Sequence, residues 1–313
     1  MEKHNQTVMS EFILMGITDH PELQAPLFGL FLLIYMISVG GNLGMVILTK
    51  VDARLQTPMY FFLRHLSLTD LGYSTTVGPK MLESFVVAQN TISYYFCAIQ
   101  GAFYIMFIVS ELYILSAMSY DRYVAICHPL LYTIMMSQRV CHMLLAFPYF
   151  YSIVVSLSIT VKIFNSSFCG YNVVSHFYCD CLSLLSLLCS NTYDIEMIIL
   201  VFSVFNLILS FPMVLVSYFL ILVTIFRMNS AGGRHKALST CGSHLPAITV
   251  FYGTLLFMYL QPKSHHSFDT DKVASIFYTL ITPMLNPLIY SLRNKDIKYA
   301  LHKIWTKIHH IFS

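Results

Sequence analysis

The stretch MIILVFSVFNLILSFPMVLVSYFLILVTIF, residues 197–226, runs thirty positions without an Asp, Glu, Lys or Arg. A hydrocarbon layer about 30 Å thick needs roughly 20 apolar residues in a helix to cross it, so this window alone is long enough to span a bilayer. Working outward, windows equally free of those four residue types occupy 26–48, 140–161 and 273–292. Two more are nearly as clean: 97–120 is interrupted only by Glu111, and 237–260 opens on the polar run ALSTCGSH. The weakest window, 58–82, carries Arg64, Asp70 and Lys80 and is accepted because its flanks read as turns. The whole chain agrees, since 57% of its 313 residues are hydrophobic and 11% are charged. A soluble domain carries about 25% charged residues, so too little polar side chain remains to cover a compact particle in water. The fold class expected is an all-α membrane protein, a seven-helix transmembrane bundle over 26–292 between an N-terminal segment 1–25 and a tail 293–313.

Orientation follows from where Lys and Arg fall. With the N-terminus outside, thirteen of the eighteen lie on the inner side, and five (Lys3, Lys80, Lys162, Lys263 and Lys272) lie outside. The first 22 residues lack the apolar core of a cleavable signal, so the first span serves as its own. Asn5 and Asn165 open glycosylation sequons that this topology places outside. The tail places Ile297, Leu301, Ile304 and Ile308 at three- and four-residue spacing among lysines and histidines, which reads as an amphipathic helix on the inner lipid surface. Basic residues are not clustered to follow a phosphate backbone, so nucleic-acid binding is set aside. HExxH, GxxxxGK[ST] and GxSxG are all missing, and no enzyme is expected. The unbroken apolar stretch of the fifth span argues against the continuous polar path of a transporter or channel.

Ionisable groups inside spans are costly and normally face the bundle interior. At 1.5 Å per residue, Asp70 and Glu111 both lie about 17 to 18 Å from the inner surface, and Asn42 and Asn286 about 11 to 12 Å. An acidic layer above an amide layer is therefore expected. Two carboxylates at one depth must share a proton or hold a cation such as sodium, so Asp70 and Glu111 form a candidate sodium or proton site. Pro283 and Pro287 remove backbone donors in the seventh span and bend it. Cys97, Cys169, Cys179, Cys181 and Cys189 fall outside, where thiols oxidise, and Cys127, Cys141 and Cys241 stay reduced. Among the outer group, disulfides are favoured over a metal site built on His176, Cys179 and Cys181.

Seven stretches, in this order and spacing, carry a resemblance over essentially the whole chain. They are Gly41-Asn42, TPMYFFL from Thr57, MSYDRYVAICHPLLY from Met118, Ser217-Tyr218, KALSTCGSH from Lys236, FYGT from Phe251 and PMLNPLIYSLRNK from Pro283. The chain resembles a mammalian olfactory receptor of the rhodopsin-like G-protein-coupled class, departing from the usual pattern only in MSYDRY for MAYDRY and in Gln56 before TPMYFFL.

The resemblance implies a plasma-membrane receptor for small volatile odorants that activates the olfactory stimulatory heterotrimeric G protein and raises cAMP. A receptor of the same fold for a lipid or metabolite is the nearest alternative. Bridges Cys97–Cys179 and Cys169–Cys189 are implied, with Cys97–Cys189 the runner-up. The implied switch consists of Arg122, released from Asp121 on activation, with Tyr123, Tyr218, the stretch from Lys236 to His244, and Asn286, Pro287 and Tyr290. Depth counting places the odorant in an outer-half cavity above the acidic layer. Tyr104, Ile105, Ile108, Phe202, Phe205, Asn206, Phe251, Tyr252, Leu255, Ile276 and Thr279 line it, with Tyr252 poised to move span six.

Overall fold

The structure, a computed structural model, describes residues 10–312 apart from 19, 170, 190, 243 and 261–267. A short strand β1 (Glu11–Leu14) precedes helices α1 (Pro21–Val51) and α2 (Pro58–Glu83), and β2 (Thr91–Ser93) leads into α3 (Tyr94–Cys127). A single turn α4 (Tyr132–Met135) and α5 (Gln138–Phe164) follow, then β3 (Val173–Val174), α6 (Cys181–Leu185) and α7 (Tyr193–Arg227). The remainder is α8 (Ala231–Cys241), α9 (His244–Leu260), α10 (Phe268–Ile276), a π-helical stretch Phe277–Ile281, α11 (Thr282–Arg293) and α12 (Lys295–Phe312).

Local chemistry explains where the helices start and stop. Pro21 and Pro58 stand at the first helical positions of α1 and α2, where a missing N–H costs nothing. The Ser93 hydroxyl caps α3 by accepting from Phe96 N–H, and the Asp180 carboxylate caps α6 through Ser183 N–H at 3.0 Å. In the seventh span the Thr282 N–H reaches Phe277 C=O, an i→i−5 bond that makes the π stretch just ahead of Pro283.

Five helices among the described residues are long and apolar enough to cross a membrane: α1, α3, α5, α7 and the run Lys272–Leu292. The apolar α9, at 17 residues, carries most of the window 237–260, whose polar opening falls in and just after α8. The charges that weaken α2 each have a place. The Arg64 guanidinium donates to the Thr49 carbonyl and caps the end of α1. Asp70 is buried within the bundle, and Lys80 pairs with Glu83 at 2.7 Å at the helix end. With α2 and α9 included, the bundle has seven crossings.

α3 is the axis of the bundle. More than half of its apolar window is buried, against 17% for α7, and it packs on α2, α5 and α7 while α11 joins α1 to α9. Hydroxyl and amide pairs stitch the helices together, as expected where lipid supplies no hydrophobic drive between them. Ser38 meets Ser74 at 2.7 Å, Ser110 meets Ser152 at 2.8 Å, and the Asn42 amide donates to the Pro283 carbonyl at 2.8 Å.

An all-α reading misses one feature. At the disulfide-bearing end β1 pairs antiparallel with β2 and parallel with β3, in the order β2-β1-β3. The Phe12 side chain is fully buried among Tyr94, Phe164 and Phe168. Four residues are too few to display a strand period, and the partners lie far away in sequence.

Candidate functional site

At the mouth of the bundle Cys97 is bonded to Cys179 and Cys169 to Cys189, with Cα atoms 5.5 and 4.9 Å apart. Gln100 holds the loop from below, accepting from Cys179 N–H at 2.9 Å and donating to the Thr76 carbonyl at 3.0 Å. Cys181 is a free cysteine, and desolvation, with the Asp180 carboxylate beside it, keeps its thiol above the ordinary range. The pinned loop drives Tyr178 into the bundle. Its ring packs 4.9 Å from that of Tyr104, which in turn stacks 5.4 Å from Tyr73. Tyr278 donates or accepts at Ser275 at 2.7 Å, and His176 reaches the same serine at 3.1 Å.

The residues proposed to line one cavity fall at two levels. Tyr104, Ile105, Phe202 and Ile276 belong to the apolar cluster beneath the loop, and Thr279 is fully buried near them. Phe251, Tyr252 and Leu255 belong to a second cluster further along the bundle, and Ile108 touches both. Asn206 accepts from the Tyr113 hydroxyl at 2.8 Å, and the Tyr252 hydroxyl meets Ser116 at 3.1 Å and the Leu112 carbonyl at 3.2 Å. From Tyr104 to Ser116 is about 18 Å along α3. Tyr252 therefore lies beyond Glu111, not above the acidic layer as depth counting has it. Phe205, 48% exposed, faces away from the bundle and does not line its interior. The first error comes from counting residues from a loop, which assumes that staggered, tilted helices share a common zero; the second is one of facing, because depth says nothing of which side of the helix a residue occupies.

The same error separates groups that touch. Asn286, counted into a lower layer, donates to Asp70 Oδ2 at 2.9 Å and sits within reach of Glu111 as well. Asp70 and Glu111 are 0% and 1% exposed, and Asp70 Oδ1 and Glu111 Oε1 have no hydrogen-bond partner among the described residues. Asp70, Glu111 and Asn286 form one cluster joining α2, α3 and α11, whereas the Asn42 amide stays with the Ser38 and Pro283 carbonyls.

At the other end of α3, Arg122 is close enough to Tyr218, Cys241, His244 and Tyr290 to act on each electrostatically. Tyr218 bonds His244 Nδ1 at 2.7 Å, joining α7 to α9. Asp121 is not in ion-pair contact with Arg122: the Tyr132 hydroxyl of α4 donates to it at 2.7 Å. Adjacent helical residues point apart by about 100°, so a neighbouring carboxylate does not face its arginine. Tyr123 meets His128 Nε2 at 3.0 Å, and Pro287 packs against Gly41, where an added Cβ would come within 2.9 Å of the proline ring. Tyr290 is fully buried, and Lys236 lies in α8 with its side chain outside the described residues.

The profile of the olfactory receptor family matches residues 31–308. The chain belongs to that family. Olfactory receptor 8K3 of Homo sapiens is 71% identical over 312 residues, covering the whole of both chains. Olfactory receptor 8K5 of Homo sapiens is 63% identical over 97% of this chain and 99% of its own length, and olfactory receptor 8U3 of Mus musculus is 55% identical over 98% and 96%. The receptor is thus a multi-pass G-protein-coupled receptor with a seven-transmembrane fold, and not an enzyme.

Several residues that build the receptor's site carry no motif. Tyr73, Tyr113, Tyr178, Tyr278, Ser116 and Tyr132 are ordinary span or loop residues until the helices are rotated into place. For Tyr113 and Ser116 a helical-face count offers a signal, since these two polar residues lie three positions apart on one buried helix and so share a side. Asn165 caps the end of α5 and is exposed at the disulfide-bearing end, whereas Asn5 lies outside the described residues.

Proposed function

We propose that this receptor binds small volatile odorants beneath the Cys179 loop and activates the stimulatory olfactory G protein from its Arg122 end, raising cAMP. The observation that carries the reading is that one helix, α3, meets every part of the apparatus. Tyr104 touches the loop, Tyr113 meets Asn206, Ser116 meets Tyr252 and Arg122 neighbours the Tyr218–His244 bond. Displacement of α9 at Tyr252 is thereby transmitted along α9 to His244. The ligand contacts are assigned to Tyr104, Ile105, Ile108, Phe202, Asn206, Ile276 and Thr279, with Tyr252 as the floor. A volatile ligand has few atoms, so its affinity is modest and dominated by apolar burial.

The Lys and Arg asymmetry supports a plasma-membrane topology with the N-terminus outside, leaving Asn165 outside and α12 on the cytoplasmic lipid surface. The donor set of Asp70, Glu111 and the Asn286 amide, with two unpartnered carboxylate oxygens, fits a bound sodium ion or shared proton. A cation there would neutralise the pair and favour the resting bundle.

The test is a cAMP reporter screen of surface-verified receptor against a few hundred volatiles, run beside Arg122→Ala. The reading requires at least one volatile that raises cAMP in the parent and not in the variant. Agonist-driven cAMP of full size in Arg122→Ala would overturn the coupling assignment.

A further inference from the structure

Four tyrosines from separate parts of the chain meet beneath the Cys179 loop: Tyr73 of α2, Tyr104 of α3, Tyr178 of the loop and Tyr278 of the π stretch. Tyr104 is at their centre, its ring centroid 5.4 Å from that of Tyr73, 4.9 Å from Tyr178 and 6.3 Å from Tyr278. All four are buried, and the Tyr73 hydroxyl has no hydrogen-bond partner among the described residues. A phenol ring is negative on its face, so a desolvated cation is attracted to such a cluster. Tyr178 is the ring that can give way to a ligand. It is carried by the loop, and its hydroxyl meets that of Tyr278 at 3.4 Å, a long and weak contact.

Carboxylates stand on both sides of the rings. Asp180, on the loop, is close enough to act electrostatically on all four. Below them, Tyr73 lies one helical turn from Asp70 on α2, and Tyr104 is about 10 Å along α3 from Glu111. Glu111 also acts on Tyr73, and its Oε1 is without a hydrogen-bond partner among the described residues. Lys272 of α10 is engaged at the Gly16 carbonyl at 3.2 Å. With the N-terminus outside, ten of the fifteen acidic residues lie on the outer side beside five of the basic ones, a net charge of −5 with histidine neutral. Asp and Glu contribute little to topology, so insertion does not demand this excess. Its field draws small cations to the mouth.

We infer that the ligand class of this site is the small protonated aliphatic amine, its ammonium held against the Tyr104 and Tyr73 rings with Glu111 and Asp180 supplying the counter-charge. The inference rests on the reading that odorants bind beneath the Cys179 loop. An aromatic pocket alone accepts any apolar volatile, and the carboxylates choose among them. A carboxylic acid, ionised at neutral pH, is repelled from both sides. An alcohol of the same shape gains the apolar burial and not the attraction of the charges. The ammonium N–H groups donate to the Tyr73 hydroxyl oxygen and to Glu111 Oε1, the two acceptors left without partners.

The experiment measures the melting temperature of full-length receptor in nanodiscs with cyclohexylamine, cyclohexanol or cyclohexanecarboxylate, which share one ring and are cation, neutral and anion at neutral pH. The amine should stabilise the receptor at concentrations about 10-fold lower than the alcohol, and the acid should not stabilise it. Asp180→Asn, whose amide oxygen still accepts from Ser183 N–H to cap α6, should weaken the amine by about 2- to 5-fold and leave the alcohol unchanged. Tyr104→Leu should weaken the amine by about 3- to 30-fold, and Tyr104→Phe, which keeps the ring, should retain most of the parent's response. An alcohol as effective as the amine, no shift with the amine, or an amine shift unchanged in both Asp180→Asn and Tyr104→Leu would overturn the assignment. Neutral agonists from the cAMP screen that depend on Tyr104, with amines inactive, would sink the amine class and leave odorant binding beneath the loop standing. Agonists of every class indifferent to Tyr104→Leu would remove the binding site itself.

Discussion

Asn206 is the residue whose role is clearest from its partners. Its carboxamide accepts from Tyr113 and donates to the Phe202 carbonyl at 2.7 Å, which ties α3 to α7 at mid-bundle. Asn206→Leu leaves the Tyr113 hydroxyl unpaired, and a loss of about 1–3 kcal/mol is expected, read as a lower melting temperature of the solubilised receptor. Gly72 gives an independent check on packing. A Cβ there would lie 2.3 Å from the Phe107 ring, so Gly72→Val should destabilise by about 1–3 kcal/mol, and adding Phe107→Ala should recover part of the loss. If the double variant melts no higher than Gly72→Val alone, the contact is not the cause. For the acidic cluster, Glu111→Gln removes one of two buried carboxylates that cannot both stay charged without a counter-ion. The expected result is raised basal cAMP and a lost response to sodium; basal activity and sodium response equal to the parent's would reduce the pair to a structural one. Asp70 and Glu111 were legible from the sequence as costly charges in apolar windows. Their junction through Asn286 was not, because residue counting placed the amide about 6 Å away in depth and the structure gives 2.9 Å.

At the scale of elements, the apolar windows foretold the spans, since thirty residues without a charge have few other homes. The second span forms despite its charges because Arg64 is engaged at the end of α1 and Lys80 lies at the helix end. What the sequence withheld is whatever depends on distant partners. The strand β1 has only four residues, and its fully buried Phe12 finds a pocket made by the ends of α3 and α5 and the loop between α5 and α7. Phe12→Ala should therefore destabilise by about 3–5 kcal/mol despite lying outside every span, and cell-surface abundance should fall with it. Surface abundance and melting temperature equal to the parent's would show that the strand is dispensable. The tail forms a helix, α12, part of which packs on the bundle. Ile297 and Ala300 are fully buried against the bundle, Leu301 is 44% exposed, and the side chains of Ile304 and Ile308 lie outside the described residues. The Tyr60 hydroxyl fastens the start of α12 to α2 through Asp296 at 2.9 Å, and no helical periodicity announces that bond.

Across the whole molecule, the arrangement places a tight, tyrosine-rich mouth at one end and the cluster around Arg122 at the other, with α3 in contact with both. The Tyr218–His244 bond is the tie between α7 and α9 nearest to Arg122, so its removal should loosen the resting bundle. His244→Ala is expected to raise basal cAMP at matched surface levels, and a basal level equal to the parent's would remove this bond from the switch.

The three-stranded cap has a consequence for how the molecule is made. β1 leaves the ribosome early, but Ile13 pairs with Thr91 and with Val173, and the latter is translated 160 residues later. At roughly 5–20 residues per second, that interval is on the order of 8 to 30 s. Until then the segment carrying Phe12 lacks its β3 partner, and when Val173 is made α7 and everything after it are still to come. Closure of the cap cannot precede the synthesis of residues 173–174, whatever the order in which the spans insert.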